Sequence, residues 1–134
     1  MKPSPPFCSH GPVRDARSRL DRLGIVLSGA CAVHCVVGLA LVGLLGLGGP
    51  LLLAPEIHEY GLVAAIVVGA LTIGIGALRH GRMRPLVLGG IGIALMAIAV
   101  AGPHGLAEAV LTIAGVAVLA LGHVFNIRAC SLPR

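Results

Sequence analysis

Four stretches of the 134-residue chain are almost continuously apolar, and short polar or charged segments separate them. The first covers 25–47 and ends in Gly48, Gly49 and Pro50, while the second, 61–78, is closed by Arg79. The third, 85–102, lies between Arg84 and Pro103, and the fourth, 109–127, between Glu108 and Arg128. At 1.5 Å per residue about 20 residues cross the hydrocarbon core, so the second and third are short but adequate. The pattern predicts an all-α membrane protein, a four-transmembrane-helix bundle, with loops too short for a further domain. The membrane domain then spans 23–130, between a polar segment 1–22 and a short tail 131–134. Pro3, Pro5 and Pro6 make the start of the first segment read as disordered, and Asp15 to Arg22 reads as a basic amphipathic stretch at a membrane surface.

Composition sharpens this picture. The chain is 57% hydrophobic and 11% charged, whereas a soluble domain is about one quarter charged. The net charge of +5 comes with 2% aromatic residues and with basic residues clustered beside apolar runs, which argues against nucleic acid as partner. Lys2, Arg14, Arg17, Arg19 and Arg22 precede the first span, Arg79, Arg82 and Arg84 join the second to the third, and Arg128 and Arg134 follow the fourth. The other two loops carry only Glu56, Glu59 and Glu108 as charges. The positive-inside rule therefore predicts cytoplasmic N- and C-termini and a cytoplasmic middle loop. Leu27 to Cys31 loosely imitates a lipoprotein cleavage site, but the apolar run continues far past it, so a membrane span is the expected reading. Small residues at i,i+4 (Ala65 and Gly69, Ala70 and Gly74, Gly90 and Ala94, Ala97 and Ala101) predict close helix packing.

Candidate chemistry centres on Cys31, His34 and Cys35 in the first span. The i,i+4 thiols share a helix face, and counted from Gly24 they lie roughly 12–17 Å into the bilayer. Soft thiolates select soft or borderline ions such as Hg(II), Cu(I), Zn(II) and Cd(II), and two thiolates suffice for a two-coordinate ion. An ordinary core cysteine is the bland alternative for one thiol; two at this spacing beside a histidine favour a metal site. Glu56, His58, Glu59, His104 and Glu108 fall at the non-cytoplasmic face. They form either a capture site or plain interfacial polarity, with Glu56 or Glu108 favoured at a helix N-terminus by the macrodipole. His80, His123 and Cys130 fall near the opposite ends of the second and fourth spans, where they could accept a released ion. His80, among arginines, also fits a solvated loop residue; Asn126 could bond an orphan carbonyl near the helix end. Cys8 in the Pro-rich segment is either a mobile thiol or a stray one. Two thiols on one helix and two outside the core do not make a disulfide framework.

The chain resembles the MerC family of mercuric-ion transport membrane proteins. The resemblance rests on Cys31-Ala32-Val33-His34-Cys35, Glu56-Ile57-His58-Glu59, Arg79-His80, Glu108 with Leu111-Thr112-Ile113-Ala114-Gly115, and Gly122-His123-Val124-Phe125-Asn126-Ile127-Arg128-Ala129-Cys130. It covers roughly Asp21 to Cys130. It implies a multi-pass protein of the bacterial inner membrane that takes up Hg(II) through Cys31 and Cys35 and delivers it to cytoplasmic thiols such as those of mercuric reductase. It also implies Cys130 as a cytoplasmic thiol, although mercury transporters of this type offer two cysteines there and this chain has Cys130 alone, which leaves His123 or Cys8 as its partner.

The expected function is thus heavy-metal transport by thiolate relay, with a metal ion as cargo and no cofactor. Zinc or copper carried on His58, His104, Glu56 and Glu59 is one alternative, and a non-transporting metal sensor or adaptor is another. No enzyme is expected: a membrane thiol oxidoreductase would carry C-x-x-C, and the pair here is C-x-x-x-C.

Overall fold

The computed structural model describes residues 12–46 and 54–129, and these are helical almost throughout. Helix α1 covers Pro12–Leu45. Helix α2 begins with Pro55–Gly69, passes through one π-helical turn, Ala70–Gly74, and ends with Ile75–His80. Helix α3 covers Arg84–Ala101 and α4 covers Leu106–Ala129. All four are long and apolar enough to cross a membrane.

Their ends follow from local chemistry. Proline opens α2 and α3, where its missing N–H costs nothing and its φ is already helical. Glu56 and Glu108 occupy first turns, as the macrodipole argument expects. Gly81 closes α2 at φ 66°, donating its N–H to the Ala77 carbonyl at 2.9 Å in a left-handed cap that a side chain would strain.

The helices outrun the apolar stretches. α1 includes the basic segment 15–22, which continues into the first span without a break. α2 starts six residues before Gly61, so Glu56, His58 and Glu59 lie on its first turns and not in a loop.

α3 and α4 pack most closely, through glycine. A Cβ on Gly92 would sit 2.7 Å from the Gly115 carbonyl oxygen, and one on Gly115 would sit 2.8 Å from that of Gly92. Gly122 likewise lies against the backbone of Gly89 and Pro85. Of the small-residue pairs expected at interfaces, Ala65 and Gly69 are buried, with Gly69 facing Ile93 of α3. Gly90, Ala94, Ala97 and Ala101 instead face outward. Both sides of α3 are rich in small residues, so spacing alone does not choose between them; the register with α4 does.

Ala65, Ile73, Met96, Val116 and Leu119 form the core, with Cys31, Ala32, Leu62 and Ile93 packed against it. The outer surface is apolar: Val26, Val33, Val63, Leu78, Ile98 and Val110 are all exposed. Water would not tolerate so much contiguous apolar surface, and lipid requires it. This is a multi-pass membrane protein.

The glycine contacts make a direct prediction. Gly92→Ala should cost about 1–3 kcal/mol, because the clash is with backbone that cannot turn aside. Gly90→Ala, with nothing within 4 Å, should cost nothing measurable. Unfolding of the reconstituted protein by SDS titration would check both.

Candidate functional site

The i,i+4 spacing on α1 brings Cys31 and Cys35 onto one face, where the two thiols contact each other. Both are free; Cys31 is half-buried and Cys35 is 0% exposed. Cys35 Sγ lies 3.5 Å from Nε2 of His58, on the first turns of α2. The His34 ring meets the His58 ring edge-on, 6.3 Å between centroids. On its other side, His58 Nδ1 is 3.4 Å from Glu108 Oε1, an ion-pair contact without hydrogen-bond alignment. Glu108 Oε2 lies 3.1 Å from His104 Nδ1, one turn earlier in the chain. The Glu108 side chain is 5% exposed and that of His104 is 60% exposed. A line of polar side chains therefore runs from the thiol pair out to the surface.

Cys35 lies level with the first turns of α2 and α4, and α1 continues past it to Leu45. His58 thus belongs with the thiol pair, not with a separate mouth above it. Glu56 and Glu59, on the same turns, point outward and are exposed. Residues 56, 58 and 59 cannot share one narrow face at 100° per residue, and position 58 is the one turned inward.

A second polar cluster lies further along the bundle. Asp21 Oδ1 accepts from His123 Nδ1 at 2.8 Å, and Asp21 Oδ2 accepts from Asn126 Nδ2 at 2.9 Å. Asn126 Nδ2 also reaches the Thr72 carbonyl, at 3.3 Å, inside the π-helical turn of α2. The Thr72 hydroxyl donates to the Val68 carbonyl at 2.8 Å and lies 3.4 Å from His123 Nδ1. Asn126 thus bonds a carbonyl, as expected, but on a neighbouring helix. The side chains of Asp21 and His123 are 4% and 1% exposed. Position 24 must be glycine here, since a Cβ would collide with the His123 ring.

Sequence reasoning missed Asp21 and Thr72. The available signal for Asp21 was an acid just ahead of an apolar run, masked by Arg19 and Arg22 on either side. His80 is the last residue of α2. Cys130 and Cys8 lie outside the described residues.

Between the two clusters runs a largely apolar cavity of about 390 Å³. Cys31 and His34 line one end, Gly24 and His123 the other, with Leu27, Ser28, Ala65, Val68, Met96 and Leu119 between. Cys31 faces this cavity, while Cys35 faces His58. His34 Nε2 is buried without a hydrogen-bond partner. Among the described residues, no three His, Cys, Asp or Glu side chains converge into a group that could hold a metal ion. Cys31, Cys35 and His58 are strung in a line through Cys35 and do not form a closed shell, which suits linear two-coordination at the thiols and falls short of a tetrahedral zinc site.

Fold and site together define a four-span membrane protein with a buried thiol pair. A family model for the MerC mercury resistance protein matches residues 21–128, and the chain belongs to this family. No curated protein and no solved structure matches.

The two thiols should differ in access. In a Cys8→Ser/Cys130→Ser background, Cys31 should react with N-ethylmaleimide at least about ten-fold faster than Cys35, because it alone opens onto the cavity. Single-cysteine variants followed by mass spectrometry measure this directly.

Proposed function

We propose that the protein takes up Hg(II) across the bacterial inner membrane by thiolate relay and delivers it to cytoplasmic thiols. The observation that carries this reading is the placement of one thiol pair between two environments. Cys35 faces the polar line to the surface, and Cys31 faces the cavity toward the other polar cluster. The positive-inside rule, applied to the arginine clusters, supports a reading with His104 outside and Asp21 at the cytoplasmic end.

Hg(II) arrives near His104 and Glu108, which attract cations, and is bound by the Cys35 and Cys31 sulfurs. Both S–H bonds are given up, so two protons leave as the bis-thiolate forms. An incoming thiolate then adds as a third ligand, and one cysteine leaves as a thiolate that takes up a proton from water. Among the described residues no three donors close around the pair, so the third position is open to the incoming ligand, with His58 Nε2 3.5 Å from Cys35 Sγ on one side. Cys130, or the thiols of a soluble acceptor such as mercuric reductase, would receive the ion. The protein itself catalyses no covalent transformation.

The Cys35–His58–Glu108–His104 line favours one other cargo, a borderline cation such as zinc or copper, which nitrogen and carboxylate donors suit better. Metal accumulation in cells expressing the protein separates the two. Hg(II) accumulation should fall to the level of cells lacking the protein in Cys31→Ser/Cys35→Ser. Unchanged Hg(II) uptake, or cysteine-independent Zn(II) uptake lost in His58→Gln, would sink the mercury relay.

A further inference from the structure

We propose that His123, held in position by Asp21, is a second metal-binding site, at the opposite end of the cavity from Cys31. The relay as proposed routes no step through this residue, which the sequence offers only as an acceptor of a released ion or a partner of Cys130. A histidine with 1% of its side chain exposed, deep between membrane helices and paired with a buried carboxylate, needs a reason to be there. Its Nδ1 is engaged by Asp21 at 2.8 Å, with the Thr72 hydroxyl, which already donates to Val68, at 3.4 Å. In the neutral ring, an Nδ1–H donated to Asp21 leaves the lone pair on Nε2. His123 lines the same cavity as Cys31 and His34.

Metal-binding histidines almost always donate their other ring N–H to a carboxylate or carbonyl, which fixes the tautomer and raises ligand basicity. Asp21 does this here, and its charge also offsets that of a cation in a medium too apolar to do so. Asn126 holds the second carboxylate oxygen in place. The site has one protein donor, with the remaining positions left to water or to an anion that accompanies the ion. It therefore binds weakly and releases readily, as a station on a path must. Its ligand is a divalent cation that accepts both sulfur and imidazole nitrogen: Zn(II), Cd(II) or Hg(II). The role of the site rests on the transport reading; its existence does not.

The test is ¹⁵N NMR of the histidine-labelled full chain in nanodiscs at neutral pH, with Zn(II) as probe. Before metal, one ring should show a protonated Nδ1 and a bare Nε2, with signals absent in His123→Gln. If that variant does not fold, loss of the Nδ1 hydrogen bond in Asp21→Asn assigns them instead. Zn(II) should shift this Nε2 signal both in the natural chain and in Cys31→Ser/Cys35→Ser. Asp21→Asn should weaken the response by about 10–100-fold. A His123 ring protonated on Nε2, or one unmoved once Zn(II) has shifted the other histidines, overturns the proposal. The two readings fail separately. Cysteine-dependent Hg(II) uptake with a silent His123 removes only this site, and a responsive His123 without such uptake removes only the relay.

Discussion

Asp21 is a carboxylate inside a helix that crosses a membrane, and neither water nor lipid is there to solvate it. Its partners must come from the protein, and both oxygens are taken: one by His123, the other by Asn126. Asn126 in turn holds a carbonyl of the π-helical turn in α2. The π turn has a purpose in this light, since a local i→i+5 pattern changes which groups face a neighbouring helix. Three helices meet at one acid, and Gly24 lets α1 come near enough for them to do so. Removing one partner of such a buried pair costs about 3–5 kcal/mol, so α1 can neither slide nor rotate freely against α4.

The other polar level, at Cys35, His58 and Glu108, fixes the same helices a second time. Asp21 to Cys35 and His58 to Thr72 are each fourteen residues, and Glu108 to His123 is fifteen. At 1.5 Å per residue all three separations come to about 21–23 Å. A slip of one turn in any of the three would break a polar level, and in α4 it would also carry Gly115 and Gly122 off the backbone of α3. Register in this bundle is therefore set by a few polar ties together with the glycine contacts. α3 is the exception, since beyond Arg84 at its start it offers no charged or histidine side chain. It is held instead by backbone contact through Gly92 and Gly115, the other means of helix association where no hydrophobic force operates.

This division explains what was legible in the sequence. Four spans could be read because apolar runs of that length have no other stable use. The thiol pair could be read because i,i+4 spacing is a local property of one helix. The partners of Cys35 could not, because His58 is close only once α2 is known to begin at Pro55 and to start level with Cys35, past the middle of α1. Likewise, Gly90 and Ala94 have the spacing of an interface but lie on the outer side of α3, a choice that depends on α4 and not on α3 itself. Asp21 was hidden by its neighbours: among arginines it looks like one more charge in a surface segment, and only the extension of α1 back to Pro12 brings it inside.

The two polar levels also bear on how a tightly bound soft ion could move. A site with three or four protein donors would satisfy the ion and hold it. Two sulfurs on consecutive turns of one helix leave the coordination open on two sides, toward His58 and toward the cavity. Within the proposed relay, that openness does the work which a conformational change does in other transporters. An incoming ligand can add before an old one leaves, so the ion is never bare in hydrocarbon. The hydrogen-bonded tie at Asp21 then has a consistent place: within the proposed relay it holds the frame while ligands exchange. A bundle free to slide would separate Cys31 from the cavity or Cys35 from His58, and either loss would close one of the two sides on which exchange depends.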